Sequence, residues 1–325
     1  RESYEESVRK ARRLVDVNTI EHTDAREVGA ENVCLQAIRE LQIDKFLQRR
    51  GWSERKIQST LSSLIIRTVY ASSEWKSLRL MEVNSAAMEL QTGNFGDCPT
   101  QREVYAAAPE LYAMKEELER HLCRRTDSLF NLTNRIMLFD LTNFYFEGSK
   151  RQSAKAKFGR SKEKRSDCKL LVLALAINTE GFIRYSSILE GNTTDPQSLP
   201  DMVERIIARN PVSRNPEEKV LVVVDAEIAT EANLQLLKDS GYNYLCVSRS
   251  KLKDYTLKDE GSKVTVLDSR RRPITLAEVA HEPEGDYYLQ VNSPAKSMTE
   301  SSMNRQWRER FEAELLKARR ALFTK

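Results

Sequence analysis

Two aspartates each close a run of strand-type apolar residues: Ile136-Met137-Leu138-Phe139-Asp140 and Val220-Leu221-Val222-Val223-Val224-Asp225. A carboxylate at the end of a buried strand is costly to desolvate unless a partner or a cation compensates it. Carboxylates are also natural hard-oxygen ligands for divalent metals. Cutting or joining a phosphodiester needs an in-line nucleophile, a stabilised leaving oxyanion and neutralised phosphate charge, which two metal ions held by such groups can supply. Asp140 and Asp225 are therefore the candidate catalytic and metal-binding residues. Taken alone, Asp225 reads equally well as a turn or helix-capping aspartate; its pairing with Asp140 favours the metal.

The elements around them must bring together residues that stand 85 positions apart. From residue 135 the pattern is that of strands: 135–146, then 170–177, then 182–189 after the turn Asn178-Thr179-Glu180-Gly181. Asp195 with Pro196 opens a helix whose Leu199, Met202, Val203, Ile206 and Ile207 face inward. A strand at 220–225 follows, then a helix capped by Thr230 that carries Leu234 and Leu237 and ends at Gly241. A last strand spans 242–248. This β-β-β-α-β-α-β order, with crossover connections, predicts that the fourth strand lies parallel to the first and beside it. The expected fold class is α/β, a ribonuclease-H-like mixed sheet flanked by helices.

Residues 1–130 read as helical. Val33, Ala37, Ile38 and Leu41 follow helical spacing, and Ser53 is placed to cap a helix carrying Ile57, Leu61, Leu64, Ile65 and Thr68. Gly93 to Pro99 is a loop by composition, and Pro109 is expected to open a helix with Leu111, Met114, Leu118 and Leu122 on one face. Such helices could read DNA, or form a bundle with an ordinary charged exterior. Trp52, Trp75 and Trp307 are expected to pack in cores or between helices. After 250, short strands at 263–268, 273–279 and 286–292 precede a charged helix from about Met298. The expected organisation is an all-helical region over 1–130, a catalytic core over 131–250, and a mostly β insertion with the start of a helix over 251–325.

The chain is 40% apolar and 31% charged with a net charge of only +4, so overall charge points to no partner. Its distribution is more telling. Residues 150–169 hold nine Lys or Arg against two acids, an excess of +7, the footprint of a phosphate-binding surface. Lys150, Arg151, Lys155, Lys157, Arg160, Lys162, Lys164 and Arg165 are the candidate DNA contacts, weighed against a solvated linker between the first two strands. Five scattered cysteines without a C-x-x-C pair, and three histidines, argue against zinc and against a disulfide framework. That cysteine usage makes a reducing, cytosolic compartment the expectation. No membrane partner is expected, since the longest apolar run, Leu170–Ile177, is too short to span a bilayer. The chain starts at Arg1 rather than Met and stops at Lys325 within a charged helix, as a fragment would.

Several stretches, in order, resemble those of DDE transposases of bacterial insertion sequences. They are Asp140-Leu141-Thr142-Asn143-Phe144-Tyr145-Phe146-Glu147-Gly148, the basic run Gly159–Cys168, Gly191-Asn192-Thr193-Thr194-Asp195, Val223–Thr230 and Tyr242–Arg249. The resemblance implies an enzyme dependent on Mg²⁺ (or Mn²⁺) that nicks element ends and joins the freed 3′-hydroxyl to target DNA. It implies double-stranded DNA as partner and a homodimer in the active complex. Thr142 and Asn143 could orient a metal ligand or the scissile phosphate, or simply satisfy the strand backbone. The family's third acid follows the pattern Tyr-x2-Arg-x3-Glu-x6-Lys. Trp307, Arg310 and Glu314 keep that spacing, but Trp replaces Tyr and Ala321 stands at the Lys position. A third acid beyond Lys325 is therefore expected rather than Glu314. A catalytically inactive transposase fragment that only binds DNA stays an alternative. The actin-like sugar kinases share the topology, but their glycine-rich phosphate turn has no counterpart after Asp140.

Overall fold

The computed structural model describes residues 24–148, 152–159, 166–209, 219–248, 252, 255–258, 263–280 and 286–322. The chain divides into two compact units, Arg1–Val247 and Ser248–Lys325.

The first unit opens with helices α1 (Gly29–Glu40), α2 (Ile43–Arg49), α3 (Glu54–Tyr70), α4 (Glu74–Val83), α5 (Glu89–Thr92), α6 (Gln101–Ala113) and α7 (Lys115–Phe130). Side-chain caps start three of them. Ser53 accepts from the Lys56 amide as expected, Ser73 from the Lys76 amide, and Thr100 forms a reciprocal capping box with Glu103. Each cap satisfies an otherwise orphaned N–H and contributes about 1 kcal/mol. That box starts α6 well before Pro109, which lies inside the helix and does not open one. Proline there removes one helical hydrogen bond, and the helix closes at Ala113 before Met114 leads into α7.

The inward face of α1 also differs from expectation. Val33 is 70% exposed and Ala37 is exposed, whereas Glu31, Leu35 and Ile38 face the core. Glu31 is 1% exposed, and a buried carboxylate needs donors. The Tyr70 hydroxyl (2.9 Å) and the Ala86 amide (2.8 Å) supply them. Burial, reinforced by Glu31, pushes the Tyr70 hydroxyl well above the usual tyrosine range. Hydropathy misread this face because its first inward residue is charged. On α3, Leu61, Ile65 and Ile66 are buried while Thr68 is exposed. Trp52 is half-buried, but Trp75 and Trp307 are 59% and 71% exposed, against the expectation of core packing. On α4 the buried positions are Ser77 and Met81, which turns Trp75 outward under Arg79.

The sheet comprises β1 (Ile136–Tyr145), β2 (Leu170–Asn178), β3 (Ile183–Glu190), β4 (Leu221–Val224) and β5 (Asn243–Cys246) in the order β3-β2-β1-β4-β5. β1, β2 and β3 pair antiparallel, and β4 and β5 run parallel to β1. Helices α8 (Asp195–Arg209) and α9 (Glu231–Asp239) connect the parallel strands. This is the mixed, ribonuclease-H-like sheet expected of the β-β-β-α-β-α-β order. Met137, Phe139 and Leu141 of β1 pack with Val222 and Val224 of β4, Leu199 and Met202 of α8 and Leu237 of α9 in one core. Gly181, at φ +88, closes the hairpin as read from the sequence, and its amide donates to the Asn178 carbonyl. A partly buried polar network ties this hairpin to α7. Arg184 and Asn134 both donate to Asp127, and Asn178 donates to Asn134.

Where β2 begins, Leu170 pairs with Tyr145 of β1 and exchanges two backbone hydrogen bonds with Lys157. Gly191 is pressed into this junction: a Cβ there would lie 2.0 Å from the Leu170 carbonyl oxygen and 2.6 Å from that of Lys157.

In the second unit, β8 (Pro273–Ala280) pairs antiparallel with β6 (Thr256–Leu257), β7 (Val264–Leu267) and β9 (Tyr288–Asn292). Helix α10 (Pro294–Leu322) follows. It starts four residues before Met298 because Ser293 caps it, accepting from the Lys296 amide, and Pro294 takes the first helical position.

Since the atoms facing Gly191 are backbone and cannot swing aside, Gly191→Ala should destabilise the first unit by about 2–4 kcal/mol. Urea denaturation followed by circular dichroism would check this; a loss under about 0.5 kcal/mol would show that the junction yields.

Candidate active site

Strand alternation decides where Asp140 points. Met137, Phe139 and Leu141 are buried under the connecting helices, so Ile136, Leu138, Asp140 and Thr142 lie on the opposite, exposed face. Leu175 of β2 stands beside Asp140 in antiparallel register. The Asp140 carboxylate accepts from the Leu141 amide at 2.8 Å. Thr142 shares its face, whereas Asn143 is half-buried on the other.

Asp225 is the first residue after β4. Its carboxylate accepts from the Ala226 amide at 2.6 Å, and its carbonyl accepts from the Ile228 and Ala229 amides, which folds the chain into a tight turn. Ile228, 1% exposed, plugs that turn into the core. Thr230 then caps α9 as read from the sequence, and buried Asn233 donates back to the Ile228 carbonyl at 2.8 Å. The aspartate thus stands on a braced strand-turn-helix.

The register of β1 with β4 brings the two together. Ile136 pairs with Leu221 and so on to Phe139 with Val224, which leaves Asp140 and Asp225 next in line on adjacent strands. Neighbouring strands lie about 4.8 Å apart. Leu138 and Val223 precede them two residues back, on the same face. Contrary to the burial expected at strand ends, both aspartates are exposed, so desolvation is not what constrains them. Their apolar neighbours face the core in alternation, and the carboxylates do not follow them inside.

Of the basic residues, Lys150, Arg151, Arg160, Lys162, Lys164 and Arg165 lie outside the described residues. Lys155 and Lys157 lie within them, at the β2 end reached about 17 Å along β1 from Asp140 (at ~3.3 Å per residue). The Lys155 ammonium donates to the Ile188 carbonyl at 2.7 Å, capping the outer edge of β3, as Lys115 does at Ser186. Lys157 is exposed while its backbone is zipped to Leu170. What the sequence reading missed is this zipper and its glycines. A Cβ on Gly159 would lie 2.0 Å from the Gly191 carbonyl oxygen, and the pairing of two distant glycines was the available signal.

Among the described residues, no three His, Cys, Asp or Glu side chains gather as a metal-holding group. Glu314 belongs to the second unit, where it is exposed and accepts from Lys317 at 2.9 Å. Two adjacent exposed carboxylates are of the hard-oxygen type that a divalent cation such as Mg²⁺ or Mn²⁺ takes. Among the described residues, no helix is long and apolar enough to cross a membrane.

Residues 131–319 match the family described as the transposase DDE domain. None of the curated proteins matches the chain. Among solved structures, a pre-cleavage Mos1 transpososome aligns at 13% identity over 74% of this chain and 66% of its own, with a TM-score of 0.25. The Mos1 transposase paired-end complex with left transposon end aligns at 13% over 75% and 66%, and the Mos1 mariner paired-end complex with Mn at 16% over 74% and 66%, both with TM-scores of 0.25. The chain thus aligns with slightly less than two thirds of each of these solved chains.

Because both carboxylates are exposed and their backbone partners tolerate an amide, Asp140→Asn and Asp225→Asn should each alter folding stability by less than about 0.5 kcal/mol. Denaturation curves of the two variants check this. A larger loss would mean that the aspartates hold the sheet together.

Proposed function

Since the chain belongs to the transposase DDE domain family, we propose that it cuts the ends of an insertion-sequence element and transfers the freed 3′-hydroxyl strand to target DNA. The observation that supports this most is the β1–β4 register, which sets Asp140, on the exposed face of β1, beside Asp225, where β4 ends. In this reading both are catalytic and metal-binding residues. A divalent cation bound there, Mg²⁺ or Mn²⁺, supplies charge neutralisation at the phosphate and activation of the attacking oxygen.

The chain's own residues do the positioning. Asp140 presents its carboxylate from the middle of a ten-residue strand, where pairing with Leu175 of β2 on one side and of the preceding Phe139 with Val224 of β4 on the other fixes its place. Asp225 presents its own from a turn that Ile228, Thr230 and Asn233 lock to the core. Such rigidity matters because in-line displacement tolerates little misplacement of the reacting oxygens. In the first step water attacks the phosphorus at the element end, the P–O3′ bond breaks and the 3′-hydroxyl is released. In the second that hydroxyl attacks a target phosphorus and displaces the adjoining 3′-oxygen.

The basic segment, with Lys150, Arg151, Lys155, Lys157, Arg160, Lys162, Lys164 and Arg165, leaves the strand that bears Asp140 and is assigned to DNA phosphates. Of the two described lysines, Lys157 is the better placed, as the Lys155 ammonium already sits on Ile188. The partners are double-stranded DNA at element ends and target, and a second copy of the chain in the complex that joins two ends. Glu314 keeps the spacing of the third acid and is tested with the pair.

With Mg²⁺ or Mn²⁺ the full-length protein should nick its element ends. Asp140→Ala or Asp225→Ala should reduce cleavage by at least about a thousandfold, an order typical of lost transition-state stabilisation, and leave DNA binding within a few-fold in a mobility-shift assay. Cutting by both variants would remove the metal assignment. Binding without cutting by the wild type would leave a DNA-binding protein only. Glu314→Ala retaining full activity would put the third ligand elsewhere.

A further inference from the structure

The β7–β8 hairpin of the second unit turns through Asp268-Ser269-Arg270-Arg271-Arg272. Its frame is a three-residue loop: the Asp268 amide donates to the Arg272 carbonyl, and the Arg271 amide to the Asp268 carbonyl, both at 2.9 Å. The Asp268 carboxylate braces it from within. One oxygen accepts from the Arg270 and Arg272 amides at 2.8 Å each, and the other from the Arg272 guanidinium at 2.8 and 2.7 Å. The Arg272 backbone and side-chain donors hold the Asp268 carboxyl below the ordinary aspartate range, so the brace is ionised at neutral pH.

Arg272 is consumed in this brace, and its two neighbours are not. Arg270 and Arg271 are exposed, and neither guanidinium has an ion-pair partner among the described residues. The four charged groups of the turn sum to +2, half the net charge of the whole chain gathered on one hairpin tip. Arg271 also sits at φ +57, in the left-handed region. In three-residue hairpin loops that position belongs by preference to glycine, with Asn and Asp next. Folding alone would therefore favour glycine at 271. An arginine held there, by a turn that Asp268 and Arg272 stiffen, is the mark of a side chain kept for a contact outside the fold.

We propose that the Asp268-braced tip is a phosphate-binding prong, in which Arg270 and Arg271 grip the backbone of duplex DNA without reading its sequence. This rests on the transposase reading above and adds a DNA contact in the second unit, separate from the basic segment after β1. Duplex DNA is the partner favoured because the two guanidinium groups left without an ion pair at the tip carry positive charge and hydrogen-bond donors only. Guanidinium groups presented in this way pair with phosphate oxygens, and such contacts carry register and affinity rather than base specificity.

The test is binding of the full chain to a fluorescently labelled 30-base-pair duplex (~30) of mixed sequence, by anisotropy across a salt series, with thermal melts of each variant. Arg270→Ala and Arg271→Gly should each weaken binding about fivefold to tenfold at ~0.1 M salt, and flatten the log–log salt slope by about one unit. Arg271→Gly should melt no lower than the wild type, because glycine suits the left-handed position. That combination, weaker binding with an equal or firmer fold, is one that a purely structural arginine would not give. A double variant with wild-type affinity and salt slope would overturn the prong, as would binding losses that appear only with lowered melting temperatures. If the wild type cuts element ends while the double variant binds as well as it does, the prong alone is wrong. If the wild type neither binds nor cuts duplex DNA, the transposase reading falls and the prong with it.

Discussion

Four backbone pairings, from Ile136 with Leu221 to Phe139 with Val224, hold β4 parallel to β1, and the placing of Asp140 beside Asp225 depends on their register. A slip of one residue would turn the alternation of β4 over, bury Asp225 and expose Val224. The slip is resisted because Val222 and Val224 share a core with Met137, Phe139 and Leu141, and a one-residue shift would put the alternate residues of β4 in their place. Burial on one face thus specifies geometry on the other. The apolar residues between the aspartates are what place them.

That arrangement leaves the sheet with two unlike faces. Under α8 and α9 the packing is continuous, with Leu199, Met202, Val203 and Leu237 almost wholly buried. On the side of Asp140, Leu138 of β1 and Leu245 of β5 stay 39% and 49% exposed. A site on this side is open to a large polymeric substrate in a way that an enclosed cavity is not. The strand that ends this sheet on the other side is guarded instead: Lys115 and Lys155 cap carbonyls along β3, which blunts an edge that could otherwise recruit another chain.

Polar groups do much of the fastening between layers. The Arg184–Asp127–Asn134–Asn178 network joins α7 to the β2–β3 hairpin, and Tyr185, wholly buried, donates to Asp201 of α8 at 2.5 Å. Burial, with Asp201 as acceptor, raises the Tyr185 hydroxyl far above the usual tyrosine range, so it remains a donor at any ordinary pH. These residues are scattered along the chain and carry no periodic signal. Glu31 shows the same limit on α1, where a charged residue on the inward face made the apolar stripe unreadable.

The order of elements, the Asn178–Gly181 turn, the Ser53 and Thr230 caps and the strands around both aspartates were legible in the amino-acid sequence, because each rests on local chemistry: alternation, capping and positive-φ glycine. The Thr100–Glu103 box that starts α6 before Pro109 is itself a local signal. Only the tertiary structure could decide that Val33 faces solvent while Glu31 does not, and that Gly159 and Gly191 meet. The same holds for the aspartates. Sequence alone marked Asp140 and Asp225 as carboxylates at strand ends. The element order already put their strands side by side; the register between those strands, and the exposure of both carboxylates in place of the expected burial, follow from packing of the core, a long-range constraint that no local pattern contains.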